Sequence, residues 1–177
     1  MVCVIGESLV VQITYYEKTL EVQSLSSIKK IKKSLKGVLK KNSAILIVDS
    51  STVNPNIVIE KISNVKDVID DLGRIIATKF YIEGNRYSDE LIDRIVEIGG
   101  MPIIEPSDLD IHLALALAEL IYDKNINIII IATKNVNFVP ILIKAKSEGK
   151  KTILIKEDST SNPLDNTVDS VVNLSEI

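Results

Sequence analysis

From residue 44 onward, short apolar runs alternate with longer segments whose apolar residues recur every three or four positions. The runs are "AILIV" (44–48), "RIIATKFYI" (74–82), "MPII" (101–104), "INIIIIA" (126–132), "KTILI" (151–155) and "SVVNL" (170–174). Each has strand length, and most lack the in–out alternation of a strand with one wet face. Strands buried on both faces belong to parallel sheets, whose crossover helices cover each side. The intervening segments supply those helices. Pro55 opens 55–72, with Ile59, Ile62, Val65, Val68 and Leu72 on one stripe and Gly73 as the stop. Ser88 caps a helix that ends at Gly99-Gly100, residues 109–123 are rich in Ala and Leu, and 137–148 carry Pro140 in the first turn with Gly149 beyond. The expected fold is α/β, a doubly wound parallel sheet of five or six strands with right-handed crossovers.

The first 42 residues have a different character. Residues 2–23 read as a hairpin or short meander, broken at Gly6-Glu7-Ser8 and Glu17-Lys18. Residues 26–41, "SSIKKIKKSLKGVLKK", read as a helix with Ile28, Ile31, Leu35, Val38 and Leu39 on one face and lysine on the others. The expected division is therefore 1–42, a β-plus-helix appendage, and 43–177, the α/β domain. That helix holds seven lysines and no acid. Solvated helix faces normally mix signs, so Lys29, Lys32, Lys33 and Lys36 are candidate phosphate contacts as well as ordinary solubilising residues. The edge of the hairpin at 2–23 could pair with a second chain, which makes a homodimer a further expectation.

Composition removes several classes. Hydrophobic residues make up 46% and aromatics 4%, so the core must be aliphatic. The lone Cys3 excludes an internal disulfide, and no Cys/His spacing fits zinc. No apolar run approaches the ~20 residues of a membrane span, and residues 1–12 lack a basic leader and a cleavage site, so no signal peptide is read. A reducing cytoplasm is the expected setting, and the wealth of Ile, Lys and Glu is compatible with a thermophile. There is no Gly-rich phosphate loop, so no nucleotide cofactor is expected.

In a doubly wound sheet the site lies beyond the carboxyl ends of the strands, where the strand order reverses. Asp49 follows the first such strand. Asp108 and Asp110 follow the strand at 101–104 and open a helix. Thr133-Lys134-Asn135-Val136-Asn137-Phe138 follows the four isoleucines 128–131. Each has a plainer reading: Asp49 as a turn residue, Asp108 as a helix cap, Lys134 as an exposed loop lysine, and His112 as a surface residue or a support behind the site.

Taken together, these residues resemble the NYN domain, a branch of the PIN-like nuclease superfamily. The likeness runs from about 44 to 174. It is strongest over 108–155, "DLDIHLALALAELIYDKNINIIIIATKNVNFVPILIKAKSEGKKTILI". The family pattern is Asp-Gly-x-Asn after the first strand, Asp-x-Asp opening the third helix, and Ser/Thr-x-Asp-x-Asp-Phe after the fourth strand. Asp49, Asp108, Asp110, Thr133, Phe138 and Pro140 match it. Ser50, Ser51 and Thr52 depart from the first motif, and Asn135 and Asn137 stand where the last has aspartates. The resemblance implies a metal-dependent ribonuclease ancestry. Asp49, Asp110, Asp108, Asn135 and Asn137 would form the catalytic set, with Asp49 and Asp110 as ligands of Mg²⁺ or Mn²⁺. Thr133, Thr52 and His112 would stand behind them, and Lys134 would reach RNA.

Two amides for two carboxylates change the chemistry. Each lost charge removes roughly 4 kcal/mol of attraction per unit of metal charge at ~4 Å in an effective dielectric of ~20. An amide cannot act as a general base. The leading expectation is a degenerate nuclease, arisen by natural drift, that binds RNA or a partner. A weak Mg/Mn-dependent ribonuclease using Asp49, Asp108 and Asp110 is the alternative, followed by asparagines introduced by engineering. A structural or regulatory dimerisation module is the third class of function.

Overall fold

The computed structural model of the chain describes residues 42–86 and 88–177. The expected hairpin at 2–23 and the basic helix at 26–41, with Lys29, Lys32, Lys33 and Lys36, lie outside the described residues. In chain order the elements are β1 (Ser43–Asp49), α1 (Pro55–Ile69), β2 (Arg74–Glu83), α2 (Asp89–Glu97), β3 (Met101–Glu105), α3 (Leu109–Tyr122), β4 (Ile128–Ala132), α4 (Val139–Ser147), β5 (Lys151–Lys156) and β6 (Ser170–Asn173). Short 3₁₀ turns occupy Val136–Phe138, Pro163–Asn166 and Leu174–Glu176.

All six strands are parallel, in the order β3-β2-β1-β4-β5-β6. The sheet therefore reverses its winding between β1 and β4, which pair Ala44 with Ile128 through Val48 with Ala132. Alternate residues of the central strands feed two separate cores. Leu46, Val48, Ile128, Ile130 and Ile153 pack with Val58, Ile62 and Ile69 of α1 and Ile95 of α2. Ile45, Ile47, Ile129, Ile131 and Leu154 pack with Leu113, Leu117 and Leu120 of α3 and Leu142 of α4. Both faces of β1, β4 and β5 are covered, which is why their sequences show no alternation.

Local signals match this frame with two differences. Asn54 caps α1 through its side chain and Ser88 caps α2, while Gly99 and Gly149 take positive φ after α2 and α4. Gly73 does not serve as a left-handed stop: α1 ends earlier, at Ile69. The glycine is required because a Cβ there would lie 2.5 Å from the Asn42 carbonyl oxygen and 2.7 Å from Ile128 Cδ1. Asp108 occupies the N-cap position of α3 but does not cap it. Its backbone is left-handed (φ 54°, ψ 42°) and its side chain makes no capping bond. Among the described residues no helix is long and apolar enough to cross a membrane.

Candidate active-site cleft

The carboxyl ends of β1 and β4 flank the crevice where the winding reverses. The last residue of β1 is Asp49, fully buried. A carboxylate there needs donors, because its two oxygens offer about four acceptor positions and water is excluded. The segment that follows provides them. Ser51 donates its N–H (3.1 Å) and its hydroxyl (2.5 Å) to Asp49 Oδ1. Thr52 and the buried Thr133 each donate a hydroxyl to Oδ2 at 2.6 Å. The carboxylate is saturated by the protein itself, and Thr133, at the end of β4, ties the two sides of the crevice together.

The hydroxyls also serve the loop. Thr52 Oγ1 accepts from the Lys134 N–H at 3.0 Å, and Thr133 Oγ1 accepts from the Asn135 N–H at 3.0 Å. Each hydroxyl thus passes its single proton to Asp49 and takes a backbone proton in return. The 3.2 Å contact between the two threonine oxygens then carries no proton of its own.

Asn135 extends the chain of bonds to α3. Its Oδ1 accepts from the Asn137 N–H at 3.0 Å and so caps the 3₁₀ turn Val136–Phe138. Its Nδ2 donates to Asp110 Oδ2 at 2.7 Å. Asp49, Thr133, Asn135 and Asp110 are therefore linked in sequence at one edge of the sheet. The amide donor engages one oxygen of the exposed Asp110 carboxylate.

The remaining candidates stand further out. Asn137 is exposed on the 3₁₀ turn, and its backbone rather than its side chain joins the network. Asp108 is exposed and accepts from the Ser107 hydroxyl at 3.2 Å. His112 lies 3.4 Å from Glu105, on the β3 side of α3. Lys134 is paired with Glu157. Glu157 also accepts from the Asn54 N–H. A pocket of ≈230 Å³ opens beside Lys134 and is lined further by Thr133, Lys156, Glu157, Thr160 and Asn162. Its second ammonium, Lys156, is bonded to Asp165 at 2.8 Å. Burial works against the charged form of Asp165, but the Lys156 hydrogen bond, the Asn162 N–H and the Lys156 charge outweigh it and hold its carboxyl below the ordinary value. With both ammoniums matched by acids, the described residues lining the pocket offer no free cation to a phosphate.

A divalent cation bound for hydrolysis takes carboxylates with open lone pairs. Here Asp49 has none left, Asp110 faces an amide donor, and no group of three or more His, Cys, Asp or Glu among the described residues is placed to hold a metal. As arranged, these side chains do not fit the metal centre that the sequence resemblance implies. Sequence reasoning missed two participants, Ser51 and Glu157. Ser51 registers there only as a departure from a motif, although a run of hydroxyls after an aspartate is a recognisable set of donors; Thr52 was expected behind the acids and does donate to Asp49. Glu157 follows β5 with no motif around it.

Comparison with known proteins bears on the family and the fold. An uncharacterized protein of Methanocaldococcus jannaschii is 33% identical over 117 residues, covering 65% of this chain and 48% of the relative. The chain thus matches about half the length of that relative. The crystal structure of a protein of unknown function from Vibrio parahaemolyticus superposes with a TM-score of 0.62 at 15% identity, over 76% of this chain and 94% of the other, a likeness of fold. The family model of the NYN domain matches residues 40–175. With that match over most of its length, the chain belongs to the NYN domain family.

Proposed function

We propose that this protein is a catalytically degenerate NYN protein that binds RNA without cutting it. The observation that carries the proposal is the state of the two surviving acids. Asp49 is saturated by Ser51, Thr52 and Thr133, and Asp110 is engaged by the Asn135 amide. Metal-assisted hydrolysis needs carboxylates that metal and water can reach. Here hydroxyl and amide protons take the place of the metal. The crevice is kept in shape, and its buried carboxylate is spent on structure rather than on water. NYN domains commonly act on RNA, and the lysines at 29, 32, 33 and 36 form the basic run from which phosphate contacts would come. In this reading residues 1–42 are the RNA-binding appendage of the α/β domain.

The test is binding and cleavage of single-stranded RNA by the full chain across a salt series, with and without MnCl₂. Binding should weaken with salt, and replacing Lys29, Lys32, Lys33 and Lys36 by Gln should flatten that dependence by about one unit of slope for each phosphate no longer neutralised. The RNA should stay intact in both metal conditions. Mn²⁺-dependent cleavage would instead identify a weak ribonuclease, and an unchanged slope in the lysine variant would return residues 26–41 to a solvated face.

A further inference from the structure

The pocket beside Lys134 lies beyond the carboxyl ends of β4 and β5, and none of its charged side chains takes part in the Asp49 network. Two of its lining residues, Thr133 and Lys156, are buried. The loops around it are tied to each other. Asn162 Nδ2 donates to the Lys134 carbonyl at 3.1 Å, Asn162 Oδ1 accepts from the Leu164 N–H at 2.9 Å, and the Lys134 ammonium pairs with Glu157. A cavity held in this way is formed before its ligand arrives, which lowers the ordering cost of binding.

Charge and size select the ligand. Among the lining residues Lys134 and Lys156 are balanced by Glu157 and Asp158, and Asp165 adds a further acid against Lys156. An anion would have to displace a carboxylate from an ammonium. An apolar ligand would take water from these charges and give nothing back. A neutral ring with donors and acceptors on its edge suits them. Among the described residues the Lys156 ammonium is bonded to Asp165 alone, at 2.8 Å, so N–H donors remain for a ring carbonyl or ring nitrogen. Glu157 accepts one bond on each oxygen, from the Asn54 N–H and from Lys134, and keeps a further position on each for a ring N–H. Threonine methyls and lysine stems supply apolar contact, and no lining residue is aromatic, so the edge of a ring is read rather than its face. The volume of ≈230 Å³ is under the ~300 Å³ at which pockets for drug-sized ligands begin, room for one base with its sugar.

We propose that this pocket is a nucleobase subsite, which takes one unpaired ribonucleoside and reads its base edge with Lys156 and Glu157. The choice of a ribonucleoside among neutral ligands rests on the RNA reading above.

The experiment is saturation-transfer NMR of the full chain with adenosine, guanosine, cytidine and uridine, each at about 0.5 mM, and with ribose and inorganic phosphate as controls. The comparison is a variant carrying Thr160→Leu and Ser161→Leu, which fills the pocket from two exposed positions and should melt like the wild type. At least one nucleoside should receive saturation from the wild type, and the effect should fall at least ~5-fold in the variant, while ribose and phosphate show none. Saturation of no nucleoside, an effect that persists in the variant, or ribose or phosphate binding as well as the nucleosides would each overturn the proposal. Salt-dependent RNA binding with no nucleoside taken up would overturn this subsite and leave the RNA reading standing. Nucleoside uptake lost in the variant, without RNA binding, would support the subsite and overturn the RNA reading.

Discussion

Thr133 shows how one hydroxyl decides the character of a site. It is buried, it donates to Asp49, and it accepts from the Asn135 N–H. Thr133→Val keeps the shape and removes both bonds. It leaves an acceptor position of a buried carboxylate and a backbone donor without partners, so the loss should be about 2 kcal/mol, within the usual cost of an unsatisfied buried group. Urea unfolding of the two proteins measures it. A loss below about 0.5 kcal/mol would mean that the network is incidental to the fold. Asn135 is the counterpart on the solvent side. An aspartate there could still cap the 3₁₀ turn, but it could not donate to Asp110. Position by position the site was half legible in sequence. The acids and amides could be located because they follow strand ends. Their mutual engagement could not, because hydrogen-bond direction across a crevice depends on how β1 and β4 lie against each other, and Ala44 and Ile128 are far apart in the chain.

At the scale of elements, the strands and helices could be read almost directly, since buried parallel strands announce themselves as unbroken apolar runs. What was misread was punctuation. Gly73 looked like a helix stop and is a close-approach glycine, a requirement set by Asn42 and Ile128 from other parts of the chain. Asp108 looked like a cap and is a left-handed residue without a capping bond. The turn Pro163–Asn166 was not foreseen. It is held by Asn162 and Asp165 in a reciprocal cap and by Lys156 from β5. That contact makes a pH prediction. The Asp165 carboxyl is held below its ordinary value, so its contribution to stability is present above the carboxyl pKa of the unfolded chain, about 3.9, and is lost as pH falls through the lower folded value. Asp165→Asn should be less stable than the wild type at neutral pH, and the gap should narrow below about pH 4. Melting temperatures from pH 7 to 2 check this. A gap that stays constant into acid would show that the Lys156–Asp165 pair adds nothing through its charge.

The α/β domain combines a nuclease-type scaffold with a cleft whose acids Asp49 and Asp110 are held by hydrogen bonds from the protein itself, the basis of the proposed loss of catalysis. The scaffold could be inferred from pattern because Phe138, Pro140 and the helix–strand unit after them are packing residues, which constrain one another regardless of chemistry. The centre could be inferred only in outline, because two asparagines in place of aspartates state what is missing and not what stands there instead. If hydrogen bonds now do the metal's structural work, Mn²⁺ should have nothing to add. Restoring Asn135→Asp sets a carboxylate directly against Asp110, and Asn137→Asp adds a second charge on the adjoining turn, which should lower stability without metal and create a site for it. The decisive measurement is thermal melting of the wild type and of this double variant, each with and without MnCl₂. The account predicts an unchanged wild type, a variant that melts lower without metal, and a variant raised by Mn²⁺. A wild type stabilised by Mn²⁺ as much as the variant would contradict it.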